Sequence, residues 1–140
     1  MSCEISIIES FKEINASITA DELSEITFDH NEMPTFHFVT GESLCFKNCT
    51  WRLEKNKDYV IGYLDHLDDS ERNKMMLSSL VGQKLKKIGI ANAMYDAQFM
   101  FTDQYMLKTF SCCPKSTQWE IRSKERLLFS ADIQIKEDQS

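Results

Sequence analysis

Two periodicities alternate along this chain. In residues 4–18, Ile7, Ile8, Phe11, Ile14 and Ile18 recur at helical spacing with Glu9, Lys12, Glu13 and Asn15 between them, which predicts an amphipathic helix. The period then shortens. Leu23-x-x-Ile26-x-Phe28, Phe36-His37-Phe38-Val39, Leu44-Cys45-Phe46, Thr50-Trp51-Arg52-Leu53 and Tyr59 through Leu64 are rich in β-branched and aromatic residues and read as five short strands. The polar stretches Asp29 to Pro34, Thr40-Gly41-Glu42-Ser43 and Glu54 to Asp58 supply turns between them. After the acidic run Asp65-His66-Leu67-Asp68-Asp69 the helical period returns, from Ser70 through Met75, Met76, Leu77 and Leu80 to a stop at Gly82, where glycine tolerates positive φ. Leu85–Ile90, Gln98–Phe101, Met106–Phe110, Trp119–Ile121 and Leu127–Phe129 then read as strands, the last extended by Ile133 and Ile135.

The second set of elements copies the first. Aligned on the two tryptophans, Thr50-Trp51-Arg52-Leu53-Glu54 matches Gln118-Trp119-Glu120-Ile121-Arg122, and Val60-Ile61 falls opposite Leu128-Phe129. Phe36-x-Phe38 matches Phe99-x-Phe101, Leu44 matches Leu107, Ile26-x-Phe28 matches Ile88-x-Ile90 and Leu23 matches Leu85. A period of 62 to 68 residues is too long for a solenoid repeat and predicts two copies of one small unit in a single domain. The predicted fold is α+β: repeat one over about 4–70 and repeat two over about 71–135, each one helix plus an antiparallel β-meander, with a frayed tail at 136–140. Trp51 and Trp119 are expected at equivalent, buried, structural positions.

Length and charge narrow the picture. With 140 residues, 42% of them hydrophobic and 27% charged, the chain suffices for one well-cored domain. No apolar run approaches a membrane span, and MSCEISIIESFKE lacks a basic start and a long apolar stretch, so a cytoplasmic protein without membrane contact is expected. Five cysteines, an odd number, read there as reduced thiols. The net charge of −6 is unevenly placed: 15 acidic and 5 basic residues give residues 1–71 a charge of −10, while 7 acidic and 11 basic give residues 72–140 a charge of +4. An acidic first half disfavours nucleic acid and suits a basic protein partner.

The candidate chemistry is sparse. Cys45, Cys49, Cys112 and Cys113 take corresponding places in the two halves, but C-x3-C with a vicinal pair is poor zinc spacing, so buried apolar cysteines and no metal are expected. His37, between two phenylalanines, should face away from them toward solvent. His66 among Asp65, Asp68 and Asp69 has the company of a general base, yet such a loop more often forms a solvated acidic surface. Arg52 and Glu120, equivalent and opposite in charge, could bridge across the pseudo-twofold axis. Lys84-Lys86-Lys87 and Arg122-Lys124-Arg126 are basic stretches near Tyr95, Phe99 and Phe101, which leaves RNA binding as an alternative. With no nucleophile–base pattern and no glycine-rich phosphate loop, neither an enzyme, a cofactor nor a small-molecule substrate is expected.

Trp51-Arg52-Leu53, Asn56, Val60-Ile61-Gly62 and Asp65-His66 together resemble the first half of small, uncharacterised bacterial proteins with a duplicated Trp motif. Leu80-x-Gly82-x-x-Leu85-x-x-Ile88-x-Ile90, Asp96-x-x-Phe99-x-Phe101 and Trp119-Glu120 are similar to their second half, so the resemblance covers roughly residues 35–122. The chain departs from that pattern at Gln104, where a turn glycine is usual, and at Cys112 to Thr117, which replace a Gly/Ser-rich loop. Some proteins of this kind are immunity proteins of polymorphic or contact-dependent growth inhibition toxin systems. The resemblance therefore implies a non-enzymatic protein that binds and neutralises a cognate secreted toxin domain, a basic nuclease being expected from the charge. The alternative is a regulatory or RNA-binding module with no toxin partner. Asp65, His66, Asp68, Asp69 and Glu71, joined by Asp29 and Glu32, are the expected partner-binding surface.

Overall fold

A computed structural model describes residues 21–62, 70–91, 95–111 and 116–132. The strands are β1 (Leu23–Phe28), β2 (Pro34–Phe38), β3 (Ser43–Phe46), β4 (Cys49–Lys55), β5 (Asp58–Gly62), β6 (Leu85–Ile90), β7 (Ala97–Phe101), β8 (Tyr105–Ser111), β9 (Thr117–Arg122) and β10 (Leu127–Asp132). One short helix, α1 (Ser70–Leu77), precedes β6 and tightens into a 3-10 turn at Ser78–Leu80. The expected α+β fold of two helix-plus-meander repeats is overturned: the described residues are mostly β, in two five-stranded antiparallel sheets with α1 as their only helix. The helix expected over residues 4–18 lies outside the described residues, as do Ile133, Ile135 and the tail.

The meanders fail for a specific reason. Sheet one has the order β1-β2-β3-β9-β10 and sheet two the order β5-β4-β8-β7-β6, so three strands from each half pair with the last two of the other. The connection between β3 and β4, only Lys47 and Asn48, looks like a hairpin turn in sequence but carries the chain from one sheet to the other. Both its N–H groups donate to the Gln118 carbonyl, at 2.9 and 3.2 Å, and the Asn48 amide donates to the Thr117 carbonyl at 2.8 Å. The bend is thus satisfied by β9, not by a return onto β3.

The two sheets share one register. Leu23 stands opposite Phe38 and Ile26 opposite Phe36 in sheet one, as Leu85 does opposite Phe101 and Ile88 opposite Phe99 in sheet two. Each first strand carries a bulge after that leucine. Phe46 pairs with Trp119 and Thr109 with Trp51, so the tryptophans occupy matching rungs. Their faces turn inward onto one core that draws Phe36, Phe46, Leu44 and Trp119 from one sheet and Trp51, Leu53, Phe99 and Leu107 from the other.

One margin of the two sheets is stitched together. Glu22 and Lys84 form an isolated bridge; the Leu23 N–H donates to the Gln83 carbonyl at 2.9 Å and the Gly82 N–H to the Leu23 carbonyl at 2.8 Å. Gly82 reaches this position after α1 with φ of 93°, a conformation that costs glycine nothing and other residues a Cβ clash. Two hairpin turns do without glycine: Asn56-Lys57 and Asp103-Gln104 have φ between 53° and 69° at both central positions, the type I′ geometry whose twist suits paired strands.

Candidate interaction surface

The turn between β1 and β2 brings part of the expected acidic surface to α1. Asp29 accepts the Asn31 and Met33 N–H groups at 2.8 and 3.0 Å, an Asx turn that folds the loop back on itself. This places Glu32, itself at a φ of 62°, beside the helix, where its carboxylate lies 3.2 Å from the Lys74 ammonium. Glu71, in the first turn of α1, approaches the same ammonium at 3.9 Å and is otherwise open to water. Lys74 also sits over the Phe28 ring, 5.2 Å from its centroid. Glu32 and Glu71 therefore meet around one cation, with Asp29 in the adjoining turn. Asp65, His66, Asp68 and Asp69 lie outside the described residues.

The expected bridge between Arg52 and Glu120 does not form, because each pairs two residues away on its own strand. Glu54, on the outer face of β4, forms ion pairs with Arg52, whose Nε lies 2.8 Å away, and with the Lys108 ammonium of β8 at 3.2 Å. Glu120, on the outer face of β9, takes Arg122 at 3.1 Å and Lys47 at 3.7 Å. Both carboxylates are nearly buried, at 8% and 9% exposure, and each is flanked by two cations that compensate its lost hydration. Alternation alone marks these positions as solvent-facing.

A second pair of carboxylates lies where β1 begins. Thr40 donates its hydroxyl to the buried Asp21 and lies 3.4 Å from a Glu42 oxygen. One hydroxyl proton cannot satisfy both. Burial pushes the Glu42 carboxyl above the usual glutamate range, the Thr40 contact opposes that, and the charge of Asp21 adds to it. A glutamate raised in the folded state contributes stability that is fully present below its unfolded pKa and is lost as pH rises through the folded value. Glu42→Gln is therefore expected to melt above the parent protein at pH 7, and the gap to close as the pH falls below about 4. Thermal melts across that range measure it; equal melting at pH 7 refutes the assignment.

The remaining candidates separate. His37 faces outward, away from Phe36 and Phe38, and its Nε2 lies 2.7 Å from the Thr27 hydroxyl. Cys45 and Cys49 are buried and in no disulfide, and Cys112 and Cys113 lie outside the described residues. Among the described residues no group of three or more His, Cys, Asp or Glu side chains is placed to hold a metal, and no helix is long and apolar enough to cross a membrane.

Sequence reasoning placed Lys86 and Lys87 in a basic stretch but missed what surrounds them, a groove on the outer face of sheet two reached also by Lys57, Met100 and Met106. The available signal was the three-residue step from Leu85 to Ile88. In a strand an odd step between two inward residues requires an extra residue, and two neighbours then face outward together.

Compared with protein-family models, curated proteins and solved structures, the chain matches none.

Proposed function

We propose that this is a cytoplasmic, non-enzymatic immunity protein that binds a basic toxin domain and blocks it. The observation that carries this reading is the convergence of Glu32 and Glu71, from separate elements, on Lys74 beside the Asp29 turn: two carboxylates facing one ammonium leave a net negative surface. It is supported by the −10 charge of residues 1–71, to which Asp65, Asp68 and Asp69 contribute in sequence. A cationic partner is drawn to such a surface at long range, which raises its rate of capture and selects against acidic competitors.

The test uses the toxin domain encoded beside this protein's reading frame. Reversing the exposed Glu71 and the half-buried Glu32, Glu32→Lys with Glu71→Lys, should slow association by on the order of tenfold at low salt and flatten its salt dependence. The melting temperature should hold, because the ion pairs lost are partly solvated. Asp29 is left intact, since its carboxylate builds the turn. If cells expressing the protein gain no protection from the neighbouring effector, the immunity reading is wrong. Unchanged association by the double variant would remove this surface from it.

A further inference from the structure

The outer face of sheet two ends in an open groove of about 470 Å³. Its floor is one cross-strand row: Lys87 of β6 stands opposite Met100 of β7, Met100 opposite Met106 of β8, and Met106 opposite Glu54 of β4. Its end wall is the pair of type I′ turns, tied to each other by the Asn56 N–H donating to the Gln104 carbonyl at 3.1 Å. Lys57 belongs to the first of these turns. Regular turn geometry and this hydrogen bond give the wall a fixed position before anything binds.

The bulge between Leu85 and Lys87 decides the charge of the groove. Strict alternation would aim only one of Lys86 and Lys87 outward; the extra residue exposes both. Together with Lys57 they make three ammonium groups, none of which forms an ion pair among the described residues. The one carboxylate on the floor, Glu54, is already held by Arg52 and Lys108. The groove is thus cationic along its rim and apolar at the centre of its floor, where Met100 and Met106 lie, and these two methionines are the side chains best able to adapt to a varied apolar contact.

We propose that this groove docks an extended acidic segment of a partner protein, whose carboxylates pair with Lys57, Lys86 and Lys87 while an apolar side chain between them rests on Met100 and Met106. The proposal goes beyond the acidic-surface reading and does not depend on it. Although the whole chain carries −6, charges farther away than about 8 Å are screened at physiological salt, so the local lysines govern what enters. Nucleic acid is the other polyanion with affinity for lysines, but single strands bind by stacking bases on free aromatic faces. Here Phe101 is buried and the Tyr105 ring lies under the Lys55 ammonium, 4.6 Å from its centroid.

The test is fluorescence anisotropy with a labelled peptide of alternating glutamate and leucine, at roughly 0.15 M salt. Saturable binding is expected, weakened on the order of tenfold or more by Lys86→Glu with Lys87→Glu, whose side chains are exposed and whose replacement leaves the core untouched. Met106→Ser should weaken it several-fold, and a polyglutamate peptide of equal length should bind less well than the alternating one. Circular dichroism of each variant confirms that the fold persists. Absence of saturable binding, or binding unchanged in the double lysine variant, overturns the proposal. Equal binding of polyglutamate removes the apolar contact and overturns it in this form. Tighter binding of an oligouridylate of matched charge assigns the groove to nucleic acid instead.

Discussion

Trp119→Ala is expected to lower the unfolding free energy by about 3–5 kcal/mol, the usual range for deleting a large aromatic from a packed core. Trp119 has 0% exposure and stacks at the centre of an aromatic chain: its ring centroid lies 5.1 Å from Phe99, edge to face, and 5.3 Å from Phe129. Phe46 continues the chain, 5.8 Å from Phe99, and Phe36 lies 5.0 Å beyond. The ring therefore joins the inner faces of both sheets, and its loss opens a cavity that neither sheet can close alone. Domains of this size hold only about 5–15 kcal/mol in reserve, so the melting temperature should fall by roughly 10 °C or more.

The milder substitution separates the two tryptophans. The Trp119 Nε1–H donates to the Tyr95 carbonyl at 2.9 Å, whereas the buried Trp51 Nε1–H has no acceptor among the described residues. Phenylalanine keeps most of the apolar volume and removes the N–H. At Trp119 that change strands a carbonyl; at Trp51 it removes an unsatisfied donor. Trp119→Phe should accordingly cost about 1 kcal/mol more than Trp51→Phe in urea denaturation. Equal costs would mean that the Trp51 ring nitrogen is satisfied after all.

The strands were legible in the sequence because inward residues such as Phe36 and Phe38, Trp51 and Leu53, and Phe99 and Phe101 recur every second position and are bounded by turn chemistry. Their partners were not. Alternation states which face a residue occupies but nothing about which strand lies beside it, and the two-residue link at Lys47-Asn48 fits a hairpin as well as a change of sheet. The carboxylates Glu54 and Glu120 escaped for a related reason. An acidic residue at an outward position reads as solvated, and what buries it here comes from residues brought together only by the tertiary pairing, Lys108 beside Glu54 and Lys47 beside Glu120. Of the expected acidic surface, Glu32 and Glu71 meet because a left-handed turn residue and a helix start happen to face one lysine, a juxtaposition that no spacing in the chain encodes.

Severing the chain between Gly62 and Ser70 is expected to give two fragments that are each unfolded alone and that regain β structure on mixing. The longest ladder among the described residues joins the halves: β4 pairs with β8 from Cys49 opposite Ser111 to Lys55 opposite Tyr105. Strand β3 also crosses to β9, from Ser43 opposite Arg122 to Phe46 opposite Trp119, and the Glu22–Lys84 bridge adds a third link. Without its partner, the first fragment retains a three-stranded β1-β2-β3 unit and a β4-β5 hairpin, with the inner faces of Phe36, Phe46, Trp51 and Leu53 open to water. A lone hairpin is marginal in water, and a three-stranded sheet needs a covered apolar face. Matching registers in the two sheets make self-pairing of either fragment the competing outcome, and charge decides between them. With the cut immediately before Ser70, residues 1–69 carry −9, from 14 acidic and 5 basic residues, and residues 70–140 carry +3, from 8 acidic and 11 basic, so two copies of the first fragment repel while the two different fragments attract. Recovery of β signal in circular dichroism should therefore need both fragments and be faster at low salt. Cooperative unfolding by either fragment alone, or recovery that is indifferent to salt, would show that the exchange of strands between the halves is not what holds the fold together.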